Sequence, residues 1–219
     1  MRTPQILTRG TGPGRPARIR TVNTLPLLLT PKAWHLAPHP ASPWQPAFTL
    51  SVALSLDEGI GLGLDYILTG ALGELRLPEP MPPSPADELW RHTCFEAFLS
   101  GADSGAYREF NFSPSGQWAS YRFVARRTPA SAPEPSPAIP RLVWSGDPGR
   151  LRLHARLPVS VLPPGTTWRL GLSAVLEHHD GRLSHWALAH PGARPDFHDP
   201  AGWRHLDAPP PYRAPSSSP

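Results

Sequence analysis

Residues 89–123 read LWRHTCFEAFLSGADSGAYREFNFSPSGQWASYRF, and this stretch decides the fold class. In CFEAFL (94–99) every second side chain of a strand would share a face, so Phe95 and Leu99 separate from Glu96 and Phe98. Two further aromatic segments, YREFNF and WASYRF, follow after turns rich in Gly, Ser and Pro. Connections this short favour antiparallel pairing, so the stretch predicts a three-stranded meander.

The same period of two recurs in segments 48–56, 62–68 and 151–157, and residues 168–177 and 183–189 are two further predicted strands. Segments 48–56 and 62–68 each offer one apolar face, as strands with one buried side do. The Asp180-Gly181 pair is typical of a hairpin turn between the last two segments. Together the segments predict an all-β fold, an antiparallel β-sandwich of immunoglobulin-like or jelly-roll type with about eight or nine strands.

Three segments of the central stretch carry a family resemblance: TCFEAFL, with an acid after an apolar pair, YREFNFSPSG and WASYRF. They resemble the DOMON-like domain related to family 9 carbohydrate-binding modules, and LDYILTGALGELRLP (64–78) and GLSAVLEHHDGRLSHWALAHPGARPDFH (171–198) resemble the same small, uncharacterised bacterial group. The resemblance covers residues 34–206. It implies a β-sandwich that binds sugars or haem and names no catalytic residue.

The 32 prolines fall mostly outside the predicted strands, because a fixed φ and a missing N–H exclude proline from central strands. We predict a disordered Arg-rich extension over residues 1–33 and a disordered tail over 208–219. One DOMON-like sandwich spans 34–207 and contains a Pro-rich loop at 128–140. The alternation that resumes after this loop indicates one interrupted domain rather than two.

The net charge of +4 comes from the N-terminal segment, since the first 56 residues hold six basic side chains and no acid. From Asp57 onward the 15 basic residues face 17 acidic ones, so the predicted domain is close to neutral. Neither a recognition helix nor a basic strand face with stacked aromatics is evident. We therefore expect no nucleic-acid partner.

The apolar run LPLLL (25–29) is shorter than the apolar core of a secretory signal peptide, which has about 7 to 15 residues. No run approaches the roughly 18 apolar residues of a membrane span. The single cysteine, Cys94, excludes an intramolecular disulfide. The sequence predicts a cytoplasmic protein without a membrane partner, and it makes no prediction about oligomeric state.

Two carboxylates, Glu96 and Glu109, are candidates for polar site chemistry. A glycoside hydrolase needs one protonated and one ionised carboxyl group beside the scissile bond, so an enzyme is one hypothesis. The alternative is a structural role, with Glu96 buried and paired to an arginine such as Arg122. Cys94 as a nucleophile is less favoured, because no base is adjacent in the sequence.

Six of the ten histidines fall between residues 178 and 205, but their spacing matches no zinc signature. His190 and His198 bracket HPGARPDFH, a loop with two prolines that could present polar groups to a ligand. Haem ligated by one of them is the alternative that the family resemblance supports. No metal site is predicted.

Aromatic side chains on or beside the central strands are candidates for stacking on a sugar ring, although large aromatics are equally typical of a core. The predicted ligand-binding residues share proximity to these strands or to the histidine loop: Trp90, Glu96, Tyr107, Glu109, Asn111, Trp118, Trp186, His190 and His198. Glu109 and Asn111 are included because they share a strand face with Tyr107. The preferred hypothesis is a non-catalytic domain that binds a carbohydrate or another small molecule and needs no cofactor.

Overall fold

The structure is a computed structural model that describes residues 33–42, 48–57, 60–131, 140–165 and 167–207. The predicted N-terminal extension up to residue 32, the predicted tail over 208–219 and residues 132–139 of the Pro-rich loop lie outside the described residues. The remaining residues of the predicted domain form the elements below.

The described residues form twelve β-strands and four single-turn 3-10 helices. The strands are β1 (Trp34–Pro38), β2 (Thr49–Asp57), β3 (Gly61–Thr69), β4 (Cys94–Gly101), β5 (Tyr107–Phe112), β6 (Trp118–Ala125), β7 (Thr128–Pro129), β8 (Arg141–Asp147), β9 (Arg150–Pro158), β10 (Thr167–Glu177), β11 (Leu183–Ala187) and β12 (Arg204–Asp207). The 3-10 helices are Leu72–Glu74, Leu89–Arg91, Val159–Val161 and Pro200–Gly202. The all-β class is confirmed, whereas the predicted count of eight or nine strands is too low.

All twelve strands belong to one hydrogen-bonded sheet in the order β7-β6-β5-β4-β10-β11-β1-β2-β3-β9-β8, with β12 also paired to β10. Each pairing between these strands is antiparallel. The predicted meander is confirmed, since β4, β5 and β6 are consecutive neighbours. β4 and β10 lie side by side although they are distant in the sequence, which no local pattern indicates.

The sheet folds back on itself, so that its two halves pack face to face. Strand β1 makes the connection, because Trp34–Leu36 pairs with β2 while Ala37 and Pro38 pair with β11. The Tyr66 ring from β3 lies 5.2 Å from the Phe95 ring of β4, and the Tyr66 hydroxyl donates a 2.8 Å hydrogen bond to the Glu96 carbonyl. Burial accordingly raises the pKa of Tyr66 well above its usual value.

The core lies between these two halves. On β4 the alternation predicted from sequence is confirmed, because Phe95, Ala97 and Leu99 belong to the core cluster and Glu96 and Phe98 do not. Strands β2, β3, β9 and β10 contribute a further aliphatic set, including Leu50, Leu64, Leu153 and Leu172. Full burial of such a side chain stabilises the fold by about 1.5–3 kcal/mol. The face of β4 that carries Glu96 points away from this core.

Four strands, β1, β7, β8 and β12, escaped the sequence analysis because they are short, exposed or at an edge. Strand β8 shows no fully buried residue, so its alternation is weak. Strand β7 falls within the predicted Pro-rich loop, and Thr128–Pro129 corrects that boundary. Pro129 fits there because β7 is the last strand of the sheet, where one side needs no N–H donor. None of the helices in the described ranges has the length and apolar character needed to cross a membrane.

Candidate functional site

The candidate site lies on the sheet face opposite the core, where β4, β5, β6 and β10 are neighbours. In the strand register Glu96 stands opposite Asn111 on one side and Ser173 on the other, and Glu109 stands opposite Tyr121. Residues opposite each other share a face, so the pleat gathers these polar side chains. The local alternation sets which face each residue occupies, and the strand order brings them together.

A cavity of about 840 Å³ opens on this face. Two segments outside the sheet also contribute to its wall, the 3-10 helix Leu89–Arg91 and the loop that precedes β12. The lining residues are Asp87, Glu88, Trp90, Glu96, Glu109, Tyr121, Phe123, Arg127, Val175, Leu183, His185, Pro195, Phe197 and His198. Aromatic and carboxylate side chains therefore share one concave surface, as they do in many small-molecule sites.

Gly171 leaves room for Trp203, which supports the loop beside the cavity. A Cβ on Gly171 would stand 2.5 Å from the Trp203 indole ring, closer than real Cβ contacts allow. The indole stacks on Phe98 at 5.8 Å between ring centroids, and its Nε1 donates a 2.9 Å hydrogen bond to the Phe197 carbonyl. This contact positions the cavity wall that Phe197 and His198 form.

Glu96 and Glu109 are buried carboxylates, 3% and 5% exposed. Burial raises the pKa of Glu96 well above its usual range, and the nearby charge of Glu109 adds to the increase. Burial also raises the pKa of Glu109, although the hydrogen bond from Asn111 Nδ2 (2.8 Å) opposes it. Ser173 Oγ donates to Glu96 Oε2 at 3.2 Å. Two like charges that are buried on one face repel each other, and this repulsion disfavours the ionised form of the carboxyl groups.

The predicted structural pairing of Glu96 with Arg122 is wrong. Arg122 is exposed and stands opposite Arg108 in the β5-β6 register, one residue away from the position that faces Glu109. Successive strand residues point to opposite faces, so Arg122 lies on the other side of the sheet from Glu96.

His198 connects Tyr107 to Glu109 at the floor of the cavity. Its Nε2 lies 3.5 Å from Glu109 Oε2, and its Nδ1 lies 2.7 Å from the Tyr107 hydroxyl. A carboxylate only accepts, so Nε2 carries the hydrogen and Nδ1 accepts from Tyr107, whose oxygen in turn accepts the Arg127 backbone N–H at 3.1 Å. Burial, followed by the charge of Arg127, lowers the pKa of His198 to about 4.

Ion pairs fasten the same loop to the turn between β6 and β7. Asp196 pairs with Arg126 at 2.5 Å and with Arg127 at 2.8 Å, and its Oδ1 accepts the His198 backbone N–H at 3.1 Å. Asp199 adds a contact to Arg126 at 3.2 Å. The two arginines lower the pKa of Asp196 despite its partial burial. The loop before β12 is thus attached to the sheet in two ways, by the ion pairs of Asp196 and Asp199 and by the stacking of Trp203 on Phe98.

Of the nine predicted binding residues, six come together at the cavity. Trp90, Glu96, Glu109 and His198 line it, while Tyr107 and Asn111 are buried behind it and hydrogen-bond lining groups. Trp90 is 46% exposed, and the Arg91 guanidinium lies over its ring at 5.0 Å from the centroid.

Three of the predicted residues, Trp118, Trp186 and His190, lie away from this cavity. Trp118 is buried beneath the segment 84–86, where its backbone bonds Ser84 and Ala86. Trp186 belongs to the core cluster. His190 donates from Nε2 to the Ala37 carbonyl at 2.8 Å and packs against His39.

Both histidines proposed as haem ligands are engaged with protein groups, His198 through both ring nitrogens and His190 through Nε2. Among the described residues, no three His, Cys, Asp or Glu side chains are grouped so that they could hold a metal ion. Haem ligation stays a prediction of the sequence.

The predicted binding set leaves out several lining residues, among them Tyr121, Arg127, His185 and Phe197. Tyr121 belongs to the aromatic side chains considered for stacking on a sugar, and it lies opposite Glu109 and two residues from Phe123 on the cavity face. Arg127 and Phe197 lie in connections without periodicity, so only the folded chain places them here.

Several solved structures resemble this chain in fold. A candidate carbohydrate-binding protein from Bacteroides uniformis ATCC 8492 superposes with a TM-score of 0.60 at 17% identity, covering 81% of this chain and 86% of its own. The chain therefore shares the overall fold of that protein. A family 9 carbohydrate-binding module from Caldicellulosiruptor kristjanssonii superposes at 11% identity, with a TM-score of 0.55 in its cellotriose complex (84% and 86% coverage) and 0.54 in its glucose complex (79% and 84%).

The sequence matches no protein-family model and no curated protein. At these identities the solved structures establish the fold alone. The predicted resemblance to family 9 modules is therefore supported at the level of fold, and the DOMON relationship stays a prediction.

Proposed function

We propose that this protein is a non-catalytic binding protein for a saccharide, which occupies the cavity on the outer sheet face. The observation that carries the proposal is the pairing of an exposed indole, Trp90, with buried carboxylates in one cavity of about 840 Å³. An indole face packs on the apolar face of a pyranose ring, and carboxylates accept hydrogen bonds from sugar hydroxyls.

The fold supports this proposal. The Caldicellulosiruptor kristjanssonii module has been solved with cellotriose and with glucose, and its fold matches this chain over most of both lengths. Because one fold hosts many functions, the argument rests on the cavity and takes only support from the likeness. We further infer that the two face-to-face halves of the sheet form a β-sandwich of jelly-roll type within the DOMON-like group.

Each lining group has a role in this proposal. Trp90 stacks on the sugar ring, and Phe197 offers apolar contact from the facing loop. Glu109 accepts hydroxyl hydrogens, held in place by Asn111 and His198. Arg127 donates from the side of the cavity where it also pairs with Asp196. Tyr107 acts through His198 and does not itself line the cavity.

The buried pair of carboxylates keeps one enzymatic alternative in view. Glu96 and Glu109 occupy one cavity and both have a raised pKa, the property a general acid requires. A glycoside hydrolase would release reducing ends from an oligosaccharide that the protein binds, and Glu96→Gln with Glu109→Gln would abolish the release. Binding without release supports the non-catalytic proposal.

The test is calorimetric titration with a panel of neutral, amino and acidic mono- and oligosaccharides. Trp90→Ala is expected to weaken the binding of any saccharide that binds by at least about tenfold, the order of a central interface aromatic. Val143→Ala removes an exposed apolar side chain on β8 and serves as the control. Unchanged affinity in Trp90→Ala, with the fold verified by circular dichroism, would remove the cavity from the proposal.

A further inference from the structure

The cavity carries more negative than positive charge. Four carboxylates line it against a single guanidinium, and the charged lining residues are Asp87, Glu88, Glu96, Glu109 and Arg127. The guanidinium of Arg127 is already paired with Asp196 outside this set. Glu88 has its own partner, Arg91, at 2.7 Å on the exposed rim. Among the described residues, Asp87 and Glu96 have no ion-pair partner, and Glu109 has only the His198 ring at 3.5 Å, which is charged only when it is protonated.

The two histidines of the cavity do not compensate this charge. Burial lowers the pKa of His185, with the charges of His39 and His190 adding to the effect. Burial also lowers the pKa of His198, to about 4. Both rings are then neutral near pH 7, so neither supplies a positive charge to the carboxyl groups of the cavity.

Glu96 has an oxygen available to a ligand. Its side chain is 3% exposed and lines the cavity, and Ser173 hydrogen-bonds only Oε2. Glu96 Oε1 receives no hydrogen bond from any residue that the structure describes. A buried carboxylate oxygen without a donor costs free energy unless a ligand supplies one. A hydrogen-bond donor between Glu96 and Glu109 would satisfy this oxygen, and a cationic donor would also offset the charge of the ionised carboxylates.

We propose that the saccharide bound here is an amino sugar, whose protonated amine is held by Glu96 and Glu109 while its ring packs against Trp90. This inference rests on the proposed saccharide-binding function and adds the charge of the ligand. An ammonium donates up to three hydrogen bonds and neutralises one carboxylate, whereas a hydroxyl at the same carbon brings no charge. The aromatic side chains around the cavity also favour an organic cation, because the faces of their rings attract positive charge.

The experiment compares two disaccharides with the same linkage, the dimer of β-1,4-linked glucosamine and cellobiose, which differ in amine against hydroxyl. Each is titrated calorimetrically at pH 6.5 into the full chain. We expect the glucosamine dimer to bind at least about tenfold more tightly, with an affinity that falls as salt is raised. Glu109→Gln and Glu96→Gln are each expected to reduce this preference. Asp180→Asn, an exposed carboxylate in the β10-β11 turn, is the control that leaves the preference unchanged.

The outcomes separate this inference from the proposed function. Equal or tighter binding of cellobiose overturns the amino-sugar inference and leaves saccharide binding in place. Binding of cyclohexylamine, with no binding of either disaccharide, overturns the saccharide function, and the inference with it. Calcium chloride that binds and displaces the glucosamine dimer overturns the inference in favour of a metal ion. No binding of any probe overturns both.

Discussion

The Tyr107 hydroxyl donates to Nδ1 of His198 at 2.7 Å, across 91 residues of sequence, while the other ring nitrogen faces Glu109. This hydrogen bond ties strand β5 to the loop before β12. It also fixes the neutral tautomer of His198, because the Tyr107 oxygen accepts the Arg127 N–H and directs its own hydrogen to the ring. The orientation of Glu109 in the cavity depends on this chain of contacts.

Tyr107→Phe removes the hydroxyl and leaves His198 Nδ1 and the Arg127 N–H without their partner. We expect a loss of unfolding free energy of about 1–3 kcal/mol, the cost of unsatisfied buried groups, and a rise in the His198 pKa from about 4. Thermal denaturation and an NMR titration of His198 measure the two effects. Tyr121→Phe is the control, because its hydroxyl bonds the exposed Asp87 and its loss should change stability by less than about 0.5 kcal/mol. Equal effects of the two variants would contradict the role given to Tyr107.

His198 makes stability depend on pH in the acidic range. Its pKa in the folded protein, about 4, lies below the value near 6.5 of an unfolded chain. The unfolded state therefore binds a proton first, and stability is lost as pH falls from about 6.5 to 4. In His198→Gln, the denaturant midpoint should change less across this pH window than it does in wild type. The exposed His205→Gln should keep the wild-type profile, and a flat wild-type profile would count against the buried neutral imidazole.

Glu96 acts in the opposite direction, because its pKa is raised in the folded protein. Its contribution to the free energy of unfolding is fully present below the ordinary pKa of glutamate, and it is lost as pH rises through the pKa that Glu96 has in the folded protein. Glu96→Gln removes the cost of a buried charge, so we expect a higher melting temperature than wild type at pH 8 and no difference near pH 4. The exposed Glu74→Gln is the matched control. A variant less stable than wild type at pH 8 would mean that the carboxylate has a cationic partner.

Gly171→Ala tests the contact between β10 and Trp203. The added Cβ would stand 2.5 Å from the indole, which must move away from Phe98. Overpacking of this kind costs about 1–3 kcal/mol, and here it should also weaken ligand binding because Trp203 supports Phe197. Gly105→Ala, where a Cβ meets nothing within 4 Å, is expected to stay within about 0.5 kcal/mol of wild type. Chemical denaturation measures the free energy of unfolding of both variants. If Gly171→Ala were as stable as Gly105→Ala, the indole would be able to move away at no cost, contrary to this prediction.

Asp196→Asn tests the attachment of the cavity loop to Arg126 and Arg127. The amide keeps an acceptor for the His198 N–H but loses both ion pairs, so we expect faster hydrogen exchange over residues 195–199 and a small change in global stability, within about 1 kcal/mol. Asp180→Asn removes the exposed pair with Arg182 and should leave this loop unchanged. The same exchange rates in both variants would show that Trp203 alone holds the loop.

The sequence by itself determined the all-β class, the β4-β5-β6 meander and the face of each of its residues. These properties are local: a period of two assigns Phe95 to the core and Glu96 to the other face whatever the partner strand is. Short turns then leave antiparallel pairing as the simplest arrangement. The same alternation predicted that Tyr107, Glu109 and Asn111 act together.

The tertiary structure alone decided which of these residues share a site. Trp118 and Trp186 looked equivalent to Trp90 in sequence, but burial is set by the elements that pack above each ring, and only Trp90 is open to the cavity. The pairing of β4 with β10 placed Ser173 beside Glu96, and the loop before β12 brought His198 to Tyr107. Such contacts join residues far apart in the chain, and their geometry follows from sheet order and loop packing, which no local pattern encodes.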